Sequence, residues 1–246
     1  MDLGFKGRVA LVTGAGSQIG YGKDISIFLA REGCDIAVAD IDLKGARQTA
    51  KEIKALGHKA ISVKADVTNQ AEVEKMVQIV LNKFSKIDIL VNNAGASSGV
   101  KPFLAMTPEE CDFNVKVNLY GQMNVTRAVL PHMIARHYGR IVHISGGQGI
   151  ANISVYGAAK AGIEAFTHAV AGEVAPQGVI MNGVYPGLAR TGLTVDVPRE
   201  FVDVNIQMSA LKRLCTAQDV SPVVAFLASD MCSYMVGQFI HMDTFC

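Results

Sequence analysis

The sequence predicts an α/β protein built on one doubly wound, parallel β-sheet flanked by helices on both faces. Three observations carry that prediction. Short apolar runs alternate with longer segments of helical period along the whole chain. The runs are apolar almost throughout, the pattern of strands covered on both faces, instead of at every second position. The first run also opens into a glycine-rich turn and then a helix. Sheets of this kind place a ligand crevice beyond the carboxyl ends of their strands.

Residues 8–13 (RVALVT) are apolar and β-branched and form the first predicted strand. A helix is expected over 24–32, where Ile25, Phe28 and Leu29 fall on one side. Residues 35–40 (DIAVAD) give the second strand, 43–56 the second helix, 60–64 the third strand and 71–84 the third helix. The fourth strand is 87–92 (IDILVN), followed by a long helical stretch over 108–136 and a fifth strand at 140–145 (RIVHIS). A helix over 156–175, a sixth strand at 179–184 (VIMNGV), a helix over 221–228 and a last strand at 238–242 complete the order.

Nothing in the composition divides the chain. Its 246 residues contain no linker, repeat, low-complexity stretch or charge run, so a single domain over 1–246 is expected. Half the residues are hydrophobic, enough for a core. A net charge of +1 gives no electrostatic case for nucleic acid or an anionic membrane. No apolar run reaches the roughly 18 residues that span a bilayer, and the first residues lack a signal-peptide core. Five scattered cysteines without a CxxC suit a reducing cytoplasm better than a disulfide frame or a zinc site, and no metal is expected. His143, inside the fifth strand, reads as a packed core residue.

Tyr156 and Lys160 are the residues that point to chemistry. Four positions apart, they lie on one face of a helix. A free phenol, with a pKa of about 10, is a poor acid or base at neutral pH; a neighbouring cation lowers that value by favouring the phenolate. The pair is a candidate acid/base device for protonating a carbonyl or deprotonating an alcohol. Many helices carry the same spacing without chemistry, so the pair needs a hydride carrier beside it.

The glycine turn that begins at Thr13-Gly14 provides a place for one. Its glycines let the backbone approach a pyrophosphate, whose charge is favoured at the following helix N-terminus. Asp40 ends the second strand about 20 residues beyond the turn. Its carboxylate would accept from the adenosine ribose hydroxyls and repel a 2′-phosphate, selecting NAD over NADP. The plainer reading is a turn or helix-cap aspartate, with Asp42 just beyond it.

With the glycine turn, Asn92-Asn93-Ala94-Gly95, Asn118, Ser145 and Tyr156-x-x-x-Lys160 in this order, the chain resembles the short-chain dehydrogenase/reductase family over nearly its whole length. The resemblance implies a Rossmann-type sheet, NAD as cofactor, and interconversion of a secondary alcohol and a ketone by hydride transfer. It implies Tyr156 as the acid/base, and Lys160 as the group that lowers its pKa and binds the nicotinamide ribose. Ser145 would hold the substrate oxygen and Asn118 would support a water relay. Cofactor contacts are implied at Gly14, Gly16, Gln18, Gly20, Tyr21 and Gly22, at Asp66 and Val67 beside the adenine, and at Asn93, Ala94 and Gly95. Pro186, Gly187, Ala189 and Thr191 would meet the nicotinamide carboxamide. A small-molecule substrate and a homo-oligomer, tetramer or dimer, complete what the resemblance implies.

Three departures from the family's pattern matter. Gln18 stands where the TGxxxGxG turn would carry its middle glycine, counted from Thr13. Counted back from the helix, Gly20-Tyr21-Gly22 becomes the final GxG and the turn gains two residues, leaving Ser17, Gln18 and Ile19 to wrap the cofactor. The second count is favoured because it keeps a normal distance to Asp40. Ser145 lies 11 residues before Tyr156, closer than the family's serine usually does. Counted from the strand, Gly146 takes the serine's place; counted from the helix, the loop is shortened and Ser145 reaches the site. The third departure is the tail, Met242-Asp243-Thr244-Phe245-Cys246, where relatives often have Asp-Gly-Gly near a subunit interface.

Residues 188–211 should form the substrate loop. It is apolar with a few charges, which suits a hydrophobic alcohol or a hydroxyacyl substrate. A reductase of 3-oxoacyl thioesters is the enzymatic alternative; that role more often uses NADPH, against which Asp40 counts. The alternative from another class is a scaffold or regulator that binds the cofactor without turnover.

Overall fold

The computed structural model describes residues 2–192, 194–195 and 197–242. Its strands are β1 (Val9–Thr13), β2 (Asp35–Asp40), β3 (Ala60–Lys64), β4 (Ile89–Asn92), β5 (Gly139–Ile144), β6 (Val179–Tyr185) and β7 (Phe239–His241). They pair in parallel in the order β3-β2-β1-β4-β5-β6-β7. The chain winds one way from β1 to β3 and the other way from β4 to β7. The loops after β1 and β4 therefore diverge, and a crevice opens at the carboxyl ends of those strands.

The helices are α1 (Tyr21–Arg31), α2 (Leu43–Ala55), α3 (Gln70–Phe84), α4 (Pro108–Val115), α5 (Gly121–Ile134), α6 (Ser154–Val174), α7 (Arg199–Met208) and α8 (Ala217–Ala228). Alternate residues of each strand feed two cores. On one face Ala10, Val12, Ile36 and Val38 pack with Ile25 and Leu29 of α1, Ile53 of α2 and Val224 of α8. On the other, Val9, Leu11, Ala37 and Val63 pack with Val73 of α3, Val125 and Met133 of α5 and Ala171 of α6. Full burial of a large side chain of this kind contributes about 1.5–3 kcal/mol. A one-residue slip would exchange the two sets, so the register is strongly specified.

Several element ends differ from the sequence reading, each for a local reason. α1 starts at Tyr21, earlier than 24, because the extended Gly20 is its cap. β4 starts at Ile89, not 87: the Asp88 carboxylate is turned to the Val9 amide (2.9 Å) and to Lys86 and Arg136. The stretch 108–136 is helical only to Ile134, and a π-turn over Lys116–Tyr120, containing Asn118, interrupts it. β6 runs one residue further than expected, to Tyr185. α8 begins at Ala217, ahead of 221, because Thr216 and Asp219 form a capping box. α7 is a helix within the segment read as a loop.

The departing tail, residues 243–246, lies outside the described residues, as do 193 and 196 of the substrate segment. Among the described residues, no helix is long and apolar enough to cross a membrane.

Candidate active site

The loops after the six strands β1 to β6 line a crevice of about 1110 Å³. Asp40 on β2 and Tyr156 beyond β5 stand three strand positions apart, with β1 and β4 between them. At the usual strand spacing that is about 14 Å, a separation that an extended dinucleotide covers.

The glycine turn is held by backbone contacts that exclude side chains. Gly14 has φ +65°, and a Cβ there would lie 2.7 Å from the Ala94 Cα. A Cβ at Gly22, in the first turn of α1, would lie 2.5 Å from the Gly14 carbonyl oxygen. That close approach of helix to strand falls on Gly22 and not Gly20, as the count from the helix expects. The Gly16 N–H donates to Asp40 Oδ2 at 2.7 Å, and the Asp42 N–H donates to Oδ1 at 2.8 Å. Asp40 is therefore aimed before any ligand arrives.

Gln18 does not wrap the crevice. Its Nε2 donates to the carbonyls of Gly16 (2.8 Å) and Gly45 (3.2 Å), and Lys23 donates to its Oε1 at 2.8 Å. Those partners turn it toward α2, so the expected contact from Gln18 is corrected: its side chain braces the longer turn from behind. Gly16 and Gly22 act from the same supporting position. Ser17, Gly20 and Tyr21 face the crevice. The Tyr21 hydroxyl donates to Gly187 O at 3.0 Å, tying the glycine turn to the loop after β6, and burial pushes its pKa up.

Asn93 Nδ2 donates to Thr13 O (3.0 Å) and Gly14 O (2.9 Å), while the amides of Asn93 and Ala94 donate to Thr13 Oγ1. This locks the loops after β1 and β4 together across the switch point. Asp66 Oδ1 accepts from the Thr68 amide and hydroxyl, both at 2.8 Å, and Val67 lines the same end of the crevice as Asp40. Pro186, Gly187, Ala189 and Thr191 line the opposite end.

Asn118 is fully buried in the π-turn. Its Oδ1 accepts from Ala96 N at 3.2 Å, and its Nδ2 donates to Ala96 O and Asn114 O. The side chain thus fixes the loop after β4. A Cβ at Gly95 would lie 2.9 Å from Asn118 Oδ1 and 3.4 Å from Lys160 Nζ, so the three positions converge.

Tyr156 and Lys160 occupy the first two turns of α6, with Nζ 5.7 Å from the phenol centroid. Lys160 is 2% exposed and donates to Ile144 O at 2.8 Å. Burial disfavours its charge and pushes its pKa down to about 7. Burial pushes Tyr156 up, and the nearby Tyr185 phenol adds to the shift. The expected lowering of Tyr156 by Lys160 is therefore absent from the protein alone.

Ser145 reaches the crevice wall at the end of β5, but its hydroxyl donates to Lys160 O at 3.2 Å and accepts from Gln148 Nε2 at 3.2 Å. Its proton is directed into α6, not toward the space over Tyr156. Gly146 stands at the wall with φ +141° and open space where a Cβ would be. The residue that the sequence reading passed over is Tyr185, which also lines the crevice. A bulky phenol at a strand's carboxyl end, just before Pro186-Gly187, was the available signal.

The family model for enoyl-(acyl carrier protein) reductase matches residues 14–244. The chain belongs to the short-chain dehydrogenase/reductase family. This dehydrogenase/reductase is 34% identical over 242 residues to the (2S)-((R)-hydroxy(phenyl)methyl)succinyl-CoA dehydrogenase subunit of Thauera aromatica, covering 98% of this chain and 96% of that one. It is similar to the crystal structure of levodione reductase, with TM-score 0.92, 31% identity and 97% of each chain covered. It is also similar to the 3-ketoacyl-(acyl-carrier-protein) reductase from Brucella melitensis complexed with NADH, with TM-score 0.90, 31% identity, and 97% and 98% of the two chains covered. Membership places the short-chain dehydrogenase/reductase among oxidoreductases that act on CH–OH and keto groups.

Proposed function

We propose that this protein is an NAD-dependent oxidoreductase that interconverts a secondary alcohol and a ketone on a hydrophobic or hydroxyacyl substrate. The observation that carries the reading is the placement of Tyr156 and Lys160 on the same crevice as Asp40 and the glycine turn. The residues fit a dinucleotide: Gly14 keeps the turn free of the side chain that would clash there, and Asp40 is fixed at the adenosine end. A nicotinamide, when bound, supplies the hydride acceptor or donor. Tyr156 takes the alcohol proton in oxidation and returns it in reduction. Lys160, released from Ile144 O, is positioned to hold the ribose hydroxyls, while Asn118 keeps the loop after β4 and the π-turn in register.

Asp40 is the ground for NAD: a fixed carboxylate would meet a 2′-phosphate with like charge. The reductase of 3-oxoacyl thioesters is the second reading. The family-model match and the Brucella relative favour it, and that relative's complex with NADH removes the objection that such a reductase would need NADPH. A homo-oligomer and a cytoplasmic setting belong to the same proposal.

The test follows NADH absorbance with panels of secondary alcohols and 3-oxoacyl thioesters. Turnover abolished by Tyr156→Phe supports the acid/base assignment. Tight NADH binding with no turnover on either panel, unaffected by Tyr156→Phe, would instead favour a cofactor-binding scaffold.

A further inference from the structure

We propose that Gln122 is a positioning residue for Lys160: its amide keeps the Ile144 carbonyl hydrogen-bonded when the lysine leaves that carbonyl for the ribose of the dinucleotide. The inference rests on the reading of Lys160 as the ribose-binding group.

Ile144 is the last residue of β5 and lies one position past the last pair that β5 makes with β4, Asn92 with His143. Two side chains donate to its carbonyl, Lys160 Nζ at 2.8 Å and Gln122 Nε2 at 3.2 Å. A carbonyl oxygen has two lone pairs, so both bonds stand together. All three residues are buried. A buried carbonyl that loses its last donor keeps the full cost of its desolvation. With the lysine as sole donor, that cost would be met whenever Lys160 turned to the cofactor. The second bond, from Gln122, removes it.

Gln122 is aimed at this carbonyl by a partner that is itself held. It is the second residue of α5, directly after the π-turn that contains Asn118. Its Oε1 faces His143 Nδ1 at 2.8 Å. His143 is fully buried, with the Phe166 ring edge-on to it and the centroids 6.1 Å apart. Burial keeps the imidazole neutral, with a single N–H. An amide oxygen only accepts, so that N–H belongs on Nδ1. Gln122 Oε1 is then fixed on His143 and Nε2 faces Ile144. The opposite orientation of the amide would set Oε1 against the Ile144 oxygen, two acceptors face to face. Gln122 touches no reacting atom, and no proton or hydride passes through it. It acts only through the carbonyl that it shares with Lys160.

The experiment titrates the intact protein with NADH, read by NADH fluorescence, for Gln122→Met in two backgrounds. Methionine matches the length of glutamine and carries no N–H. With Lys160 present, the variant is expected to raise the NADH Kd about tenfold, because the Ile144 carbonyl then holds the lysine back. In a Lys160→Met background no lysine moves and the carbonyl is in the same state before and after NADH binds. There the Kd should change by less than about twofold. The lost bond to His143 is common to both backgrounds and cancels in the comparison. Gln122→Leu, of different shape, should give the same pattern. A change under about threefold with Lys160 present overturns the proposal. So does equal weakening in the two backgrounds, which is what a glutamine serving only the fold would give. Lys160→Met alone separates the two levels. If it leaves NADH affinity unchanged, the ribose reading fails and the role of Gln122 with it. If it weakens NADH while the effect of Gln122→Met is the same in both backgrounds, only the role of Gln122 fails.

Discussion

The Asp40 carboxylate bonds the Gly16 amide through one oxygen and the Asp42 amide through the other, so its charge is fixed at the lip of the crevice. Asp40→Asn keeps the size of the group and removes the charge. The ratio of kcat/KM with NAD to that with NADP should then fall by about tenfold or more, which is about 1.4 kcal/mol of lost discrimination. Asp40→Ala should also weaken NAD itself, because the Gly16 amide loses its partner and the turn loosens. A ratio unchanged in both variants would refute the assignment. Tyr156 is held above its ordinary value by burial, and oxidation needs its deprotonated form. Oxidation should therefore speed up as pH rises from neutral into the alkaline range, while reduction, which uses the protonated phenol, should stay level over the same range. Paired pH profiles of kcat/KM in the two directions check this; parallel slopes would contradict it.

At the scale of elements, the junction of β1 and α1 depends on Gly22, where a Cβ would meet Gly14 O and Asn93 Nδ2, both at 2.5 Å. Gly22→Ala must push the helix off the strand end, so NADH affinity should fall at least about tenfold, with a lower unfolding midpoint. Gly172→Ala, on α6 with nothing near its Cβ position, should instead raise stability by roughly 0.5–1 kcal/mol. Titration with NADH and thermal melts distinguish the two; equal effects would mean the contact at Gly22 is not limiting. The strand-by-strand order was legible in the sequence because apolar runs and turn glycines are local signals. The crevice positions of Asp40, Tyr156 and Lys160 followed from the same strand order. Side-chain direction was not legible. Gln18 faces α2 because Gly45 and Gly16 present carbonyls there, and Lys160 bonds Ile144 O because β5 ends beside α6. The π-turn around Asn118 and the wall position of Tyr185 likewise depend on contacts between segments far apart in the chain.

Over the whole molecule, the buried titrating groups set how stability depends on pH. His143 is fully buried in β5, with Nδ1 donating to Gln122 Oε1 at 2.8 Å and Nε2 without a hydrogen-bond partner among the described residues. Burial, with the Lys160 charge adding to it, pushes its pKa from 6.5 down to about 3. Between those values the unfolded chain binds a proton that the folded protein does not, so stability rises with pH across that window and is lost as pH falls through it. Lys160, lowered from 10.5 to about 7, acts in the same sense over its own higher window. Against them, burial raises Cys34 from 9.0 to about 12, and it raises Tyr156 and Tyr21 above 10.0. For these groups the folded state holds protons that the unfolded chain releases, so they remove stability as pH climbs past their ordinary values. The unfolding midpoint should therefore rise from about pH 3 to 6.5. Replacing His143 with Asn removes a buried base and should flatten that rise, whatever the substitution does to the absolute midpoint. Melting curves of the two proteins across the window decide it: equal slopes would mean that His143 is not held neutral by the fold.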